Sequence, residues 1–270
     1  MACHNRAQVT KRFFESFKNA KKNEFEFSFV VTNDGSTDET QSIIDSQPLS
    51  IKIHYGDGNL YWAKSMEVAE SLIDAAPDGI LWVNDDLVLN PNCFEKLLYS
   101  ISTYPNCVLV GQVADIDSGK LLYGGYKRKG RHPLVLELIH SEHSHTEADT
   151  FNGNFVYIPS EIWLAVGAID GNYSHAYADC DYGYRVRKLG YKIRIIPGLI
   201  GATNENLQIW PNGRLQKIKQ IRSAKNNPTK SQLRFFVRHR KRFGLLLIPI
   251  YVVRPFLRIL VFNSSLAKNF

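Results

Sequence analysis

The stretch Ile80–Leu87, which reads Ile-Leu-Trp-Val-Asn-Asp-Asp-Leu, decides how the rest of the chain is interpreted. A short apolar run that ends in polar residues is typical of a buried β-strand. The adjacent Asp85 and Asp86 would then follow the strand's carboxyl end, where open α/β sheets bind ligands. Two neighbouring carboxylates repel each other, and Mg²⁺ or Mn²⁺ would relieve the repulsion because both ions suit oxygen ligands. The stretch alone predicts either a metal site or a solvated acidic turn, and the turn is commoner.

The composition is that of a folded globular protein. The chain has 270 residues, of which 44% are hydrophobic and 22% are charged. This excludes a mainly disordered protein and fits one large α/β domain, with or without an appendage. The 4 cysteines show no C-x-x-C spacing, and no signal-peptide pattern is present. We therefore expect free thiols in a reducing, cytoplasmic compartment.

The charge is unevenly distributed along the chain. Residues 206–270 contain 14 Lys and Arg and no Asp or Glu, whereas residues 1–205 contain 19 basic and 26 acidic residues. A basic segment of this kind predicts an anionic partner such as a membrane surface or a nucleic acid. Residues 243–262 are strongly apolar but include two Arg and two Pro. That pattern favours a helix in the membrane interface over a spanning helix, with a helix packed on the domain or on a partner as the alternatives.

Strand and helix patterns alternate through the first part of the chain. Strand patterns cover residues 25–32, 51–54, 80–87 and 108–113, and helical patterns lie between them. Ser36 and Glu39 have the spacing of a capping box, which predicts the start of a helix. This alternation predicts an α/β fold with a mostly parallel sheet flanked by helices. Beyond it, residues 121–131 predict a hairpin or an irregular ribbon.

Two further polar groups are candidate sites. His140, His143 and His145 suggest a metal cluster, although a mobile polar loop is the favoured interpretation because no helix or strand pattern fixes the rings. Asp179 and Asp181 open a helical pattern that ends before Gly190. The helix dipole favours carboxylates at that position, but simple capping explains one aspartate better than a pair.

Four motifs, taken in order, resemble those of family 2 glycosyltransferases, including bacterial rhamnosyltransferase-like members. The motifs are residues 29–38 (the nucleotide-binding turn), 58–62 (a Gly-Asn-aromatic turn), 82–86 (similar to the Asp-x-Asp metal motif) and 179–185 (the acceptor-side helix). The resemblance covers roughly residues 1–201. It favours the metal-site interpretation of Asp86 over the solvated turn.

The resemblance implies a glycosyltransferase A-type fold, Rossmann-like, in residues 1–205, with residues 206–270 as a basic helical membrane-association segment. It implies metal-dependent, inverting transfer from a UDP- or dTDP-sugar to a saccharide or lipid-linked acceptor during cell-surface polysaccharide synthesis. The enzyme would be peripheral at the cytoplasmic face of the membrane. Asp179 would be the general base, and Asp86 and His175 would bind Mg²⁺ or Mn²⁺. The nucleotide sugar would be bound by His4, Asn5, Arg6, Asp34, Gly58, Asn59, Trp62, Asn84 and Asp85, and the acceptor by Asn152, Gly153, Asn154 and Asp181.

The sequence departs from the family pattern in four places. The strand that precedes residues 3–6 in the family is missing, Ala178 replaces a frequent Glu, Asn84 replaces the first acid, and no histidine lies at residues 201–204. His175 is the candidate substitute for that histidine. Two alternatives remain, a nucleotidyltransferase and a nucleic-acid-binding protein that uses the basic tail. No nucleic-acid partner is expected, because no recognition module accompanies the basic residues.

Overall fold

The computed structural model describes residues 1–74, 77–130, 133–173, 176–204 and 229–239. The amino-terminal part alternates strands and helices, as the sequence predicts. Its elements are β1 (Ala2–Cys3), α1 (Ala7–Ala20), β2 (Ser28–Asp34), α2 (Thr40–Asp45), β3 (Ser50–Gly56) and α3 (Tyr61–Ser71). The three strands form a parallel sheet in the order β1-β2-β3. This sheet brings the carboxyl ends of β1 and β2 to one edge.

Aromatic residues of α1 pack this helix against the sheet. Phe13, Phe14 and Phe17 are each at most 2% exposed. Phe17 packs edge-on against Phe29 of β2, with ring centroids 4.9 Å apart. The capping box predicted from Ser36 and Glu39 is wrong, since α2 has no side-chain cap and Ser36 Oγ accepts a hydrogen bond from the Asn5 amide at 3.0 Å instead.

The second part of the chain builds a mixed sheet of seven strands. Its elements are β4 (Gly79–Val83), β5 (Val88–Leu89), α4 (Cys93–Thr103), β6 (Cys107–Asp115), β7 (Leu121–Tyr123), β10 (Thr146–Ala148), β12 (Phe155–Pro159), α5 (Ser160–Val166), α6 (Ala178–Lys188) and β13 (Lys192–Thr203). The main strand order is β10-β13-β6-β12-β4, with β5 on β13 and β7 on β6. β6 and β13 are parallel, whereas β12 runs antiparallel between β4 and β6. The predicted α/β class is confirmed. The predicted mostly parallel arrangement holds for the sheet β1-β2-β3, but in the large sheet β6 and β13 form the one parallel pair among the described residues. The alternation of strands and helices does not show the antiparallel strands, such as β12.

A third, small sheet contains β8 (Gly125–Arg128), β9 (Leu136–Leu138) and β11 (Thr150–Phe151), in the order β11-β8-β9. β7 and β8 do not pair with each other, so the alternative of a hairpin within residues 121–131 is wrong. Instead, β7 extends the large sheet and β8 the small one.

One helix of the carboxy-terminal segment is described, α7 (Thr229–His239). Phe235 and Phe236 of this helix are at most 1% exposed, and Phe235 packs with Tyr177 and Tyr184. This part of the basic segment therefore packs on the domain. The remaining residues of the predicted membrane segment, 206–228 and 240–270, lie outside the described residues, and none of the described helices is long and apolar enough to cross a membrane. All four cysteines are free thiols, as predicted.

Candidate active site

The turn after β2 is organised by Asp34, whose side chain is buried. Its carboxylate accepts backbone hydrogen bonds from Gly58 at 2.8 Å, Leu60 at 2.9 Å and Tyr61 at 3.1 Å. Gly58 has a φ of +87°, which glycine adopts without a steric cost. Asp34 therefore holds in place the loop between β3 and α3, which contains Gly58 and Asn59.

The loop after β1 forms hydrogen bonds with the same turn. The His4 ring Nδ1 hydrogen-bonds to the backbone carbonyl of Asp34. Asn5 Oδ1 accepts a hydrogen bond from the Thr37 amide at 2.7 Å. His4, Asn5 and Asp34 thus form one polar rim at the carboxyl ends of β1 and β2.

Arg6 continues this rim to the two aspartates after β4. Its guanidinium lies 3.2 Å from Asp85 Oδ1 and 2.5 Å from Asp86 Oδ2. Asp85 is 2% exposed and also accepts a hydrogen bond from Thr10 Oγ1 at 3.4 Å. Burial raises the pKa of Asp85 to about 6, although Arg6 acts in the opposite direction. One cation therefore balances two adjacent carboxylates at this edge of the sheet.

Asp86 offers an atom that suits a divalent cation. Its Oδ1 is buried and has no hydrogen-bond partner within the described part of the chain. A hard cation such as Mg²⁺ or Mn²⁺ would satisfy that oxygen. The described residues contain no group of three or more His, Cys, Asp or Glu that could hold a metal, so His140, His143 and His145 do not form one. His175, the second predicted ligand, lies outside the described residues, which leaves Asp86 as the one predicted metal ligand that can be placed.

A chain of amide side chains links β4 to the loop before β12. Asn84 Oδ1 accepts a hydrogen bond from Trp62 Nε1 at 3.0 Å, and Asn84 Nδ2 donates to Asn154 Oδ1 at 2.7 Å. Asn154 Nδ2 in turn donates to Asn152 Oδ1. An aspartate at position 84 could accept but not donate. The network therefore gives a physical reason for the asparagine at this position.

Asp179 lies next to this network, in the first turn of α6. Its Oδ2 accepts a hydrogen bond from the Gly153 amide at 3.1 Å. Burial raises the pKa of Asp179, which makes its carboxylate a stronger base. Gly153 also lies in close contact with the indole of Trp62, since a Cβ added to this glycine would lie only 2.6 Å from the ring. Trp62, Gly153 and Asp179 therefore form one wall of the site.

Asp181, predicted to bind the acceptor, lies elsewhere. Its side chain is 0% exposed. Its carboxylate is bonded to Tyr173 Oη at 3.0 Å, Arg185 Nε at 3.0 Å, Arg238 Nη1 at 2.7 Å and His239 Nε2 at 2.8 Å. The structure thus separates the two aspartates that open α6. Asp179 faces Gly153 in the loop before β12, and Asp181 faces the interior and α7.

Sequence reasoning missed the groups that support this site. Thr10 is fully buried beside Asp85, and a signal existed, since a polar residue lies on the apolar face of α1. Tyr177 has a φ of +77° directly before α6, and nothing in its sequence context indicates that conformation. The partners that α7 provides to α6 were also not predicted, because a basic segment of sequence does not show which carboxylates it contacts.

Solved glycosyltransferases share this arrangement of strands and helices. A TarS fragment, residues 1–349, from S. aureus is 14% identical, with a TM-score of 0.60, and the match covers 95% of this chain and 78% of that one. GalNAc-T7 solved with UDP, GalNAc and Mn²⁺ is 12% identical, with a TM-score of 0.63 and coverages of 82% and 46%. A mannosyltransferase from Pyrobaculum calidifontis, solved with GDP-Man and Mn²⁺, is 12% identical, with a TM-score of 0.57 and coverages of 100% and 74%. The fold is that of the glycosyltransferase A-type enzymes.

The family follows from the sequence itself. The model of the family "Glycosyl transferase family 2" matches residues 1–164. This chain belongs to that family and is a glycosyltransferase. No curated protein sequence shows a significant match to the chain.

Proposed function

We propose that the protein transfers a hexosyl or rhamnosyl group from a UDP- or dTDP-sugar to a saccharide or lipid-linked acceptor in cell-surface polysaccharide synthesis. The acceptor hydroxyl attacks the anomeric carbon, and its proton passes to the carboxylate of Asp179. The bond between the anomeric carbon and the diphosphate breaks, and the nucleoside diphosphate leaves. A single displacement of this kind inverts the anomeric carbon.

The observation that supports this proposal most is the pairing of β4 with β12. Val83, the last residue of β4, lies opposite Phe155, the first residue of β12. The Asn84 amide donates to the Asn154 carbonyl at 3.2 Å across this pair. The predicted donor residues that follow β4 and the predicted acceptor residues that precede β12 therefore lie side by side, as transfer between two bound substrates requires.

On the donor side, the chain provides one guanidinium and one buried carboxylate oxygen without a partner among the described residues. Arg6 would contact a diphosphate, because its guanidinium lies at this edge of the sheet and its side chain is 38% exposed. Asp86 would bind Mg²⁺ or Mn²⁺ through its unpartnered Oδ1. A bound divalent cation neutralises charge on a diphosphate leaving group. TarS 1–349 solved with UDP and with UDP-GlcNAc, and the GDP-Man complex of the mannosyltransferase, favour a nucleotide-sugar donor.

On the acceptor side, Asp179 is the base and Gly153 fixes its orientation. The Gly153 amide holds one carboxylate oxygen, and the adjacent Trp62 offers an apolar, aromatic surface. Asn152 and Asn154 lie in the same loop, but their side chains also bond to each other. We assign the acceptor hydroxyl to the space beside Asp179, Gly153 and Trp62. Asp181 does not take that role, because it is fully buried.

The basic segment would bring the enzyme to the cytoplasmic face of a membrane that carries a lipid-linked acceptor. Anionic lipids attract clusters of Lys and Arg near a surface. In α7, Arg234 and Arg238 instead form ion pairs with Asp170. Membrane attraction is therefore assigned to other basic residues of 206–270, most of which lie outside the described residues.

The decisive experiment is a donor panel of UDP-, dTDP- and GDP-sugars, with a lipid-linked saccharide as acceptor and with or without Mn²⁺, in which the released product is identified. We expect nucleoside diphosphate, and we expect Asp179→Asn and Asp86→Ala to reduce turnover by at least about 100-fold. Asp74→Ala is a matched control, because that side chain is 77% exposed and precedes β4, at the opposite edge of the sheet. Full activity in both site variants would refute the proposal, and release of pyrophosphate would instead identify a nucleotidyltransferase.

A further inference from the structure

The residue before α6 has a backbone conformation that needs support. Tyr177 has φ +77° and ψ −8°, in the left-handed region that L side chains rarely adopt. Such a conformation persists only where surrounding contacts hold it. Two of those contacts come from α7: Gln232 Nε2 donates to Tyr177 Oη at 2.9 Å, and the fully buried ring of Phe235 lies 5.9 Å from the tyrosine ring.

The same helix also completes the partners of a buried carboxylate in α6. Among the described residues Asp181 has four partners, and two of them, Arg238 and His239, belong to α7. A carboxylate that is 0% exposed needs charged or hydrogen-bonding partners on all sides. Arg238 also lies 2.8 Å from Asp170, so that one guanidinium joins two acidic groups of the domain.

We propose that α7 positions Asp179 for catalysis by holding the start of α6 in place. This inference rests on the proposed function, in which Asp179 is the base. Tyr177 and Asp181 each lie two residues from Asp179, one on either side, and α7 contacts both. Gln232 and Arg238 are positioning residues, since they act through α6 and bond to neighbours of the base. Helix α7 thereby supports the acceptor side of the site.

The test compares two arginines of the same helix. Arg238→Gln removes the ion pairs with both Asp181 and Asp170. Arg234→Gln removes an ion pair with Asp170 and a contact with the ring of Tyr173, and Arg234 forms no hydrogen bond or ion pair with α6 in the described part of the chain. We expect Arg238→Gln to lower kcat by about 10-fold to 100-fold, as expected for a displaced catalytic group, with the affinity for nucleoside diphosphate unchanged in calorimetry. We expect Arg234→Gln to retain wild-type kcat. Tyr177→Phe, which loses one hydroxyl and leaves the ion pairs intact, is the milder variant, with an expected loss of about 3-fold in kcat.

A second readout does not depend on activity. Cys180 follows Asp179 and is partly exposed, while the other three cysteines are buried. Displacement of the start of α6 should therefore increase alkylation of Cys180, which peptide mass spectrometry can quantify. We expect an increase of about 10-fold in Arg238→Gln and none in Arg234→Gln.

The possible results distinguish a failure of the proposed role of α7 from a failure of the proposed function. Equal kcat and equal Cys180 alkylation in the two arginine variants would overturn the proposal that α7 positions Asp179. A loss of nucleotide affinity that parallels the loss of kcat would also overturn it. If wild-type protein transfers no sugar, or if Asp179→Asn remains fully active, the proposed function fails. The alkylation comparison then still decides whether α7 orders the start of α6.

Discussion

The buried carboxyl group of Glu70 should make the stability of the protein depend on pH. Glu70, in α3, is 5% exposed, and its Oε2 accepts hydrogen bonds from Trp163 Nε1 at 2.8 Å and the Ile169 amide at 3.3 Å. Its Oε1 has no hydrogen-bond partner among the described residues. Burial raises the pKa of Glu70 from 4.5 to about 7. The folded protein therefore holds this proton more tightly than the unfolded chain does.

The sign and size of the effect follow from linkage. Because the folded pKa is higher, the protonated carboxyl stabilises the fold at low pH, and this stabilisation is lost as the pH rises from 4.5 through 7. A difference of that size corresponds to about 3 kcal/mol in total, since each pH unit is worth about 1.4 kcal/mol. We expect about 2 kcal/mol of it to fall between pH 5 and pH 8.

Urea unfolding of the wild type and of Glu70→Gln, followed by tryptophan fluorescence at several pH values, measures this effect. The free energy of unfolding of the wild type, minus that of the variant, should fall by about 2 kcal/mol from pH 5 to pH 8. Glu161→Gln, on the same helix as Trp163 but with an exposed side chain, is the control and should show no such trend. A wild-type minus Glu70→Gln difference that stays constant over this range would show that folding does not raise the pKa of Glu70.

Three further predictions concern the candidate site. Arg6→Met should increase Mn²⁺ affinity in the absence of nucleotide, because Arg6 is paired with Asp86. It should also decrease donor affinity, because Arg6 is the proposed diphosphate contact, and calorimetry measures both affinities. Gly153→Ala should lower kcat at least about 10-fold in the transfer assay, because the added Cβ would displace Trp62, whose ring atoms would lie 2.6 and 2.7 Å away. Asn84→Asp should lower the free energy of unfolding by about 1–3 kcal/mol in urea, because it loses the bond that donates to Asn154.

Each of these predictions has a result that contradicts it. For Arg6→Met, the idea fails if wild-type protein already binds Mn²⁺ tightly without nucleotide. For Gly153→Ala, unchanged kcat would mean that the indole moves without affecting the base. For Asn84→Asp, wild-type stability together with tighter Mn²⁺ binding would mean that position 84 is a metal ligand rather than a link between loops.

The sequence predicts those features that local patterns determine. Apolar runs of strand length precede Asp34 and Asp85, which predicts both carboxylates near the carboxyl ends of strands. Asp34 is the last residue of β2, and Asp85 follows the last residue of β4 by two positions. The start of α2 shows the limit of such patterns. Ser36 and Glu39 have capping-box spacing, but the serine hydroxyl accepts a hydrogen bond from the backbone amide of Asn5, which is distant in sequence. A local motif cannot show which distant group will compete for its atoms.

The partners of Asp179 and Asp181 could not be predicted for a similar reason. Residues two apart on a helix lie on different sides of it, but tertiary contacts decide what each side meets. Gly153 approaches one, while Arg238 and His239 approach the other from 57 and 58 residues along the chain. Helix and strand patterns carry no information about that pairing.

The antiparallel pairing of β4 with β12 has a consequence for how this enzyme could diversify. Neighbouring strands lie ~5 Å apart, whatever their side chains are. The separation between the end of β4 and the start of β12 is therefore set by backbone hydrogen bonds, which mutation hardly changes. Reaction geometry and substrate choice can therefore change independently. Surface loops can be exchanged to alter the sugar or the acceptor, while the paired strands keep the distance between the donor and acceptor residues constant. We expect loop grafts between members of this fold to change specificity more readily than they abolish transfer.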